Sequence, residues 1–244
     1  MRIPRVYLQQ ELASNSTITV SGQTAHHVTH VLRLRERAVL RVFNGDGNEY
    51  TATFTGKGRG EISLEIGDTV DTLPESCLNI RLAQGIARHD RMDLILQKSV
   101  ELGVGDIQPL WMQRSQSHLR GERLDKRIRH WQGVISSACE QCGRATLPTL
   151  QPPLAYPEWL TGNHNSGPGL MLQPDSQTVL ADLSQPDGTI TLLVGPEGGM
   201  NGEEKLQAEA AGFTGVRLGA RILRTETAAL VALSGIQTLW GDFR

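Results

Sequence analysis

The stretch TITLLVGPEGGMNGEE, residues 189–204, sets an apolar run against a glycine-rich turn with a carboxylate at its centre. TITLLV has the length and β-branched content of a buried strand, and Asn201 followed by Glu203 and Glu204 reads as the capped, dipole-complemented start of a helix. Glycine turns between a strand and a helix usually cradle phosphates with bare backbone N–H groups, which Glu197 would repel. The turn Gly195, Pro196, Glu197, Gly198, Gly199 therefore argues against a nucleotide phosphate tail. Two readings stay open. The glycines admit a flat ligand close to the backbone while Pro196 stiffens the turn, or the turn is merely tight and Glu197 caps nearby backbone N–H groups.

Outward from this stretch, strands and helices alternate. NIRLAQGI is a strand, RHDRMDLILQKSVELG a helix with Asp90 at its N-cap and Gly103 as its left-handed stop, and DIQPLWM a second strand. From Glu122 to Cys142 a long helix repeats Leu124, Ile128, Trp131, Ile135, Ala138, Cys139 and Cys142 on one stripe. LMLQ, TITLLV and GVRLG are further strands, and an apolar helix runs from Ala228. The alternation predicts a parallel sheet covered by helices on both faces, with ligands at the carboxyl ends of its strands. Three loops leave those ends, after Leu172, Val194 and Leu218.

The first seventy or so residues have a different period. AVLRVFN, NEYTATFTG and GEISLEIGDTV alternate apolar and polar residues, with Asn44–Gly47 as a hairpin turn, and predict a small β-barrel or meander. The expected division is residues 1–73 and 74–244.

A 244-residue chain that is 39% hydrophobic can build ordinary cores for two domains. No apolar run reaches the 18 or so residues that span a bilayer, and MRIPRVYLQQ lacks a signal core, so the expectation is a cytoplasmic protein. Cys77, Cys139 and Cys142 make no disulfide framework, and the C-x-x-C reads as buried structural thiols. No metal site is expected, because His26, His27 and His30 have no acidic partner pattern. The net charge of −2 hides a segregation: Arg2, Arg5, Arg33, Arg35, Arg37 and Arg41 outnumber the acids of residues 1–45, whereas Lys205 alone faces eight acids in residues 145–212. A basic face for a polyanion and a merely solvated surface both fit.

The third loop, LGARILRTET, is dense in polar groups between a strand and an apolar helix. Capping by Thr225 or Thr227 explains some of them but not both Arg221 and Arg224. LLVGPEGGMNGEE followed by LGARILRTETAAL resembles the cofactor-binding motif pair of the SPOUT methyltransferases. MRIPR, HHVTHVLR, FNGDGNEY, QKSVELGV and ACEQCGR resemble its RsmE-type family, which methylates N3 of a uridine in 16S ribosomal RNA. This resemblance, which covers nearly the whole chain, implies a PUA-like β-barrel RNA-binding domain followed by a SPOUT domain with a C-terminal trefoil knot, and a homodimer. It implies S-adenosyl-L-methionine held by Leu172, Gln173, Gly195, Pro196, Glu197, Gly198, Gly199, Leu218, Gly219, Ile222, Leu223 and Arg224.

Uracil N3 must lose its proton to become a nucleophile. Glu226 is the expected base, and Arg224, which stays protonated, the expected group to hold the anion or a flanking phosphate. The RNA, ribosomal 16S RNA or the small subunit itself, is expected along Arg2, Arg5, Arg33, Arg35, Arg88, Arg114 and Arg144. The alternatives are ribose 2'-O-methylation by a related SPOUT enzyme and a non-catalytic RNA-binding assembly factor.

Overall fold

The chain is described by a computed structural model over residues 3–115, 119–162 and 168–243. The N-terminal part holds β1 (Arg5–Tyr7), β2 (Thr17–Ser21), α1 (Gly22–His26) continuing into a π-helical turn at His27–Val31, β3 (Val39–Phe43), β4 (Glu49–Lys57) and β5 (Glu61–Val70). The strands form one sheet in the order β1-β3-β4-β5-β2, antiparallel except where β1 runs parallel to β3. The predicted meander is thus β3-β4-β5, and hydrogen bonding does not join β1 to β2. Leu40, Val42, Ala52, Phe54, Ile62, Leu64 and Ile66 alternate into a common core, which is what their period of two required. In the β3-β4 hairpin only Gly45 and Gly47 take positive φ, while Asn44 and Asp46 turn their side chains back onto the amides of Asp46 and Asn48.

The remainder holds β6 (Asn79–Gly85), α2 (His89–Glu101), β7 (Asp106–Trp111), α3 (Glu122–Cys142), β8 (Thr149–Leu150), β9 (Leu154–Ala155), α4 (Tyr156–Thr161), β10 (Gly169–Leu172), β11 (Thr189–Val194), α5 (Gly202–Ala210), β12 (Phe213–Val216) and α6 (Thr225–Trp240). Its strands are all parallel, in the order β12-β10-β11-β6-β7-β8, with β9 also on β7. Ala83, Leu110, Met171 and Leu193 of four strands join Tyr156 and Trp159 of α4 and Ala208 of α5 in one apolar cluster. Gln84 points the opposite way and meets Thr225 at the start of α6, which packs on α2. The sheet therefore carries helices on both faces.

Two compact units result, Met1–Glu75 with Ser136–Leu147, and Ser76–Ile135 with Pro148–Arg244. The end of α3 thus belongs to the first unit, where the buried Cys139 thiol is pushed up to about 12, chiefly by burial. Cys139 and Cys142 are both free thiols.

Two helix starts differ from expectation. Helix α2 has Arg88, not Asp90, at its N-cap, and the N-cap side chain makes no capping hydrogen bond. Helix α6 begins at Thr225 rather than Ala228, with Arg224 at the N-cap, and neither threonine caps it. In both cases the group that competes for these atoms comes from the loop after β11.

Candidate functional site

The loops after β10, β11 and β12 line one pocket of about 320 Å³ at the carboxyl end of the parallel strands, large enough for a small-molecule ligand. Its wall is apolar at Leu172, Val194, Met200, Leu218, Ile222 and Leu223, and backbone-rich at Gly195–Gly199. Ile222 is 89% exposed, an apolar side chain standing at the rim.

The glycines of this wall are dictated by space. A Cβ on Gly195 would lie 3.0 Å from the Met200 amide nitrogen, and one on Gly198 would lie 2.8 Å from Cβ of Arg114. Gly199 and Gly219 take φ of +67° and +77°, which L side chains disfavour. Beneath the wall, a Cβ on Gly85 would sit 2.6 Å from the Pro196 ring, so strand β6 and the turn touch backbone to backbone.

Buried polar groups hold the turn in place. The Thr225 hydroxyl donates to the Gly195 carbonyl at 2.6 Å, and Gln84 Nε2 donates to Thr225 Oγ1 at 3.1 Å and to the Gly85 carbonyl at 2.8 Å. The competing demand on Thr225 is why it does not cap α6. Further along, the predicted cap on α5 is present and reciprocal: Asn201 Oδ1 accepts from the Glu204 amide, and Glu204 Oε2 accepts from the Asn201 amide. The buried Glu204 also accepts from the Gln113 amide at 2.8 Å, which ties down the loop after β7. That loop brings Arg114 to the pocket, where its guanidinium donates to the Gly198 carbonyl at 2.8 Å.

Glu197 answers the question its position raised. Its Oε1 accepts the Arg88 amide at 2.8 Å and lies 3.4 Å from the guanidinium of Arg91. The carboxylate thus satisfies backbone at the start of α2, the capping alternative, while its residue still lines the pocket. Arg91 also faces Glu226, at 3.8 Å from Oε1, and Glu226 Oε2 is buried without a hydrogen-bond partner.

Of the residues expected to hold a cofactor, Leu172, Gln173, Gly195–Gly199, Leu218, Gly219, Ile222 and Leu223 line the pocket. Arg224 does not. It is exposed at the N-cap of α6, between two residues that do. Glu226 also lies off the wall, beside Arg91. The sequence reading missed Pro174, Val194, Met200, Lys205, Val216, Arg221, Thr225 and Ala228 as lining residues, and placed Arg114 only among the RNA contacts. Thr225 and Arg221 were legible as part of a polar-dense loop, whereas Met200 carried no chemical signal.

The expected RNA contacts divide sharply. Arg33 and Arg35 are exposed, and Arg33 takes a φ of 53° just after the π-helical turn. Arg5 is not a surface residue: its side chain is 8% exposed, it forks onto Glu49 at 2.7 Å, donates to the Arg144 carbonyl at 3.0 Å and stacks over Phe43. Arg144 is mostly buried against Glu75 at 2.7 Å. Arg88 and Arg114 are exposed, and Arg2 lies outside the described residues. Among the described residues no cluster of His, Cys, Asp or Glu is arranged to hold a metal ion, and the rings of His26 and His30 stack at 4.4 Å.

Residues 74–237 match the RNA methyltransferase domain family, and residues 20–67 match the RNA methyltransferase PUA domain. A Buchnera aphidicola protein named ribosomal RNA small subunit methyltransferase E is 32% identical over 100% of this chain and 96% of its own length. The crystal structure of the Neisseria gonorrhoeae protein of the same name, bound to S-adenosyl methionine, is 42% identical with a TM-score of 0.91 over 100% of both chains. A Legionella pneumophila structure with bound cofactor SAM is 35% identical with a TM-score of 0.95, again over 100% of both. With three sheet-end loops enclosing a single pocket and a match that spans well over half its length, this chain belongs to the RNA methyltransferase family and carries that family's PUA domain.

Proposed function

We propose that this protein methylates N3 of a uridine in the 16S RNA of the small ribosomal subunit, using S-adenosyl-L-methionine, and that it does so in the cytoplasm as a homodimer. The observation that carries this reading is the joint pocket of the three loops, in a chain whose full-length relatives bear the small-subunit methyltransferase name. The residues present fit the cofactor. Glycines whose Cβ atoms would clash let the backbone reach it, apolar side chains suit a flat ring, and Glu197 is turned to Arg88 and Arg91.

When bound, S-adenosylmethionine supplies an electrophilic methyl group for in-line displacement. The protein's part is to hold the acceptor nitrogen in line and manage its proton. Arg224, exposed between Leu223 and Thr225, holds the developing uracil anion or the flanking phosphate. Glu226, one residue beyond Thr225 of the pocket wall, takes the proton. The target base has to leave its stack to reach the pocket.

Residues 1–73 serve as the RNA-binding domain, through the exposed Arg33 and Arg35, and residues 74–244 as the knotted SPOUT domain. The apolar exposure of Ile222, Val231 and Leu239 supports a second copy as the partner of this half.

The test is mass spectrometry of 16S RNA from cells lacking the protein, followed by incubation of their small subunits with protein and labelled cofactor. One uridine base methyl should be missing and then restored. A missing ribose methyl would instead point to 2'-hydroxyl chemistry, and an unchanged pattern would defeat the reading. Reversing Arg33 and Arg35 together should weaken RNA binding at least 10-fold at moderate salt, in line with loss of phosphate contacts.

A further inference from the structure

Arg91 stands in the first turn of α2, outside the pocket wall, and no other guanidinium among the described residues is paired with two carboxylates from different ligand loops. One carboxylate, Glu197, is at the centre of the glycine turn after β11. The other, Glu226, is in the first turn of α6, immediately after the loop from β12. The two carboxylates are mostly shielded from water, with side-chain exposures of 19% for Glu197 and 12% for Glu226, while Arg91 is partly exposed at 34%.

The arrangement is not explained by fold stability alone. Ion pairs at 3.4 and 3.8 Å with a partly exposed guanidinium contribute little to unfolding free energy. Two carboxylates near one another would, however, repel without a cation between them. The glycine turn has few other side-chain anchors: Thr225 and Gln84 grip its first carbonyl, and Arg114 grips that of Gly198. The amide of Arg88 and the guanidinium of Arg91 are what fix the side chain at its middle.

We infer that Arg91 is a positioning residue that clamps the glycine turn to the start of α6, setting the separation between the cofactor loop and Glu226. It touches neither cofactor nor substrate in this role. The contact is to Glu226 Oε1, and Glu226 Oε2 is buried without a hydrogen-bond partner, so the ion pair to Arg91 is what orients this carboxylate. The inference rests on the proposed function for its consequence but not for its mechanics, because a clamp between two loops is a property of the free protein.

The experiment therefore has two readouts on Arg91→Gln, with Arg91→Lys as the conservative variant. In the free protein, hydrogen exchange of residues 195–199 and of the first turn of α6 should quicken together in Arg91→Gln, while the strands and the melting temperature stay near wild type. By calorimetry, S-adenosylmethionine affinity should fall about 10-fold through lost preorganisation. Arg91→Lys, which keeps the charge, should recover most of that loss. In turnover assays the KM for cofactor should rise by a similar factor with a smaller change in kcat.

Exchange that quickens in only one loop, or in neither, overturns the clamp. Quickened exchange in both loops with a wild-type protein that binds no S-adenosylmethionine would keep the clamp and defeat the proposed function. Should Arg91→Gln fail to fold, Glu226→Gln releases one end alone: the clamp then requires quicker exchange at residues 195–199, far along the chain from the change, and an unchanged rate there overturns it.

Discussion

In the N-terminal unit the buried charge is Arg5 against Glu49, enclosed by backbone carbonyls of residues 139, 140 and 144 and by the Phe43 ring. In the second unit three of the buried polar groups, Gln84, Glu204 and Thr225, stand at a strand end and helix starts, and they hold the loops around the pocket. The first arrangement closes a core and presents nothing to a ligand. The three groups of the second give their hydrogen bonds to the shape of a binding wall. An arginine is therefore informative only with its surroundings: Arg5 is architecture, while Arg224 is exposed at a helix start beside a pocket.

The sharpest way to break this contrast is Glu49→Ala. It strands a guanidinium that is 8% exposed, and the expected loss of about 3–5 kcal/mol in denaturant unfolding follows from an uncompensated buried charge. A loss below about 1 kcal/mol would place Glu49 with ordinary surface pairs. Next in size is Gly85→Ala, at a residue that does not line the pocket. Its Cβ would meet the Pro196 ring at 2.6 Å, so roughly 1–3 kcal/mol of overpacking should appear together with weakened cofactor binding. Unchanged calorimetry would show that the turn yields freely.

Thr225→Val tests the polar half of the same support. Removing the hydroxyl deprives the Gly195 carbonyl of a donor and Gln84 Nε2 of an acceptor, for about 1–2 kcal/mol of stability, and should loosen cofactor binding more than it lowers the melting temperature. The smallest effect is expected at Glu140, whose Oε1 accepts the Tyr7 amide at 2.9 Å and whose carboxyl is raised above its ordinary value, chiefly by burial. The folded state holds this proton more tightly than the unfolded chain does. Its stabilising contribution is thus full below the ordinary carboxylate range and is lost as pH rises through the raised value. Glu140→Gln keeps the acceptor and should flatten that part of the stability profile. A steeper profile in the variant would reverse the assignment.

Much of this was legible in the chain. Period-two alternation gave the first sheet, strand-helix alternation the second, and Asn201 with Glu204 wrote their capping box in plain view. The motif residues of three loops do converge on one wall. What the sequence could not give was direction. Nothing along the chain distinguishes the inward Arg5 from the outward Arg33, because the difference lies in Glu49, distant in sequence. The starts of α2 and α6 were misplaced for the same reason: local capping rules assume local partners, and here Glu197 and Gly195 compete from another loop.

The return of Ser136–Leu147 to the N-terminal unit has a consequence for how the molecule is made. Three of the carbonyls that receive Arg5 belong to that return. During synthesis the first unit cannot be finished when its own strands have emerged. Arg5 can meet Glu49 early, but its carbonyl acceptors arrive only when more than half of the polypeptide has left the exit tunnel, and a fragment ending at Glu75 would lack them altogether.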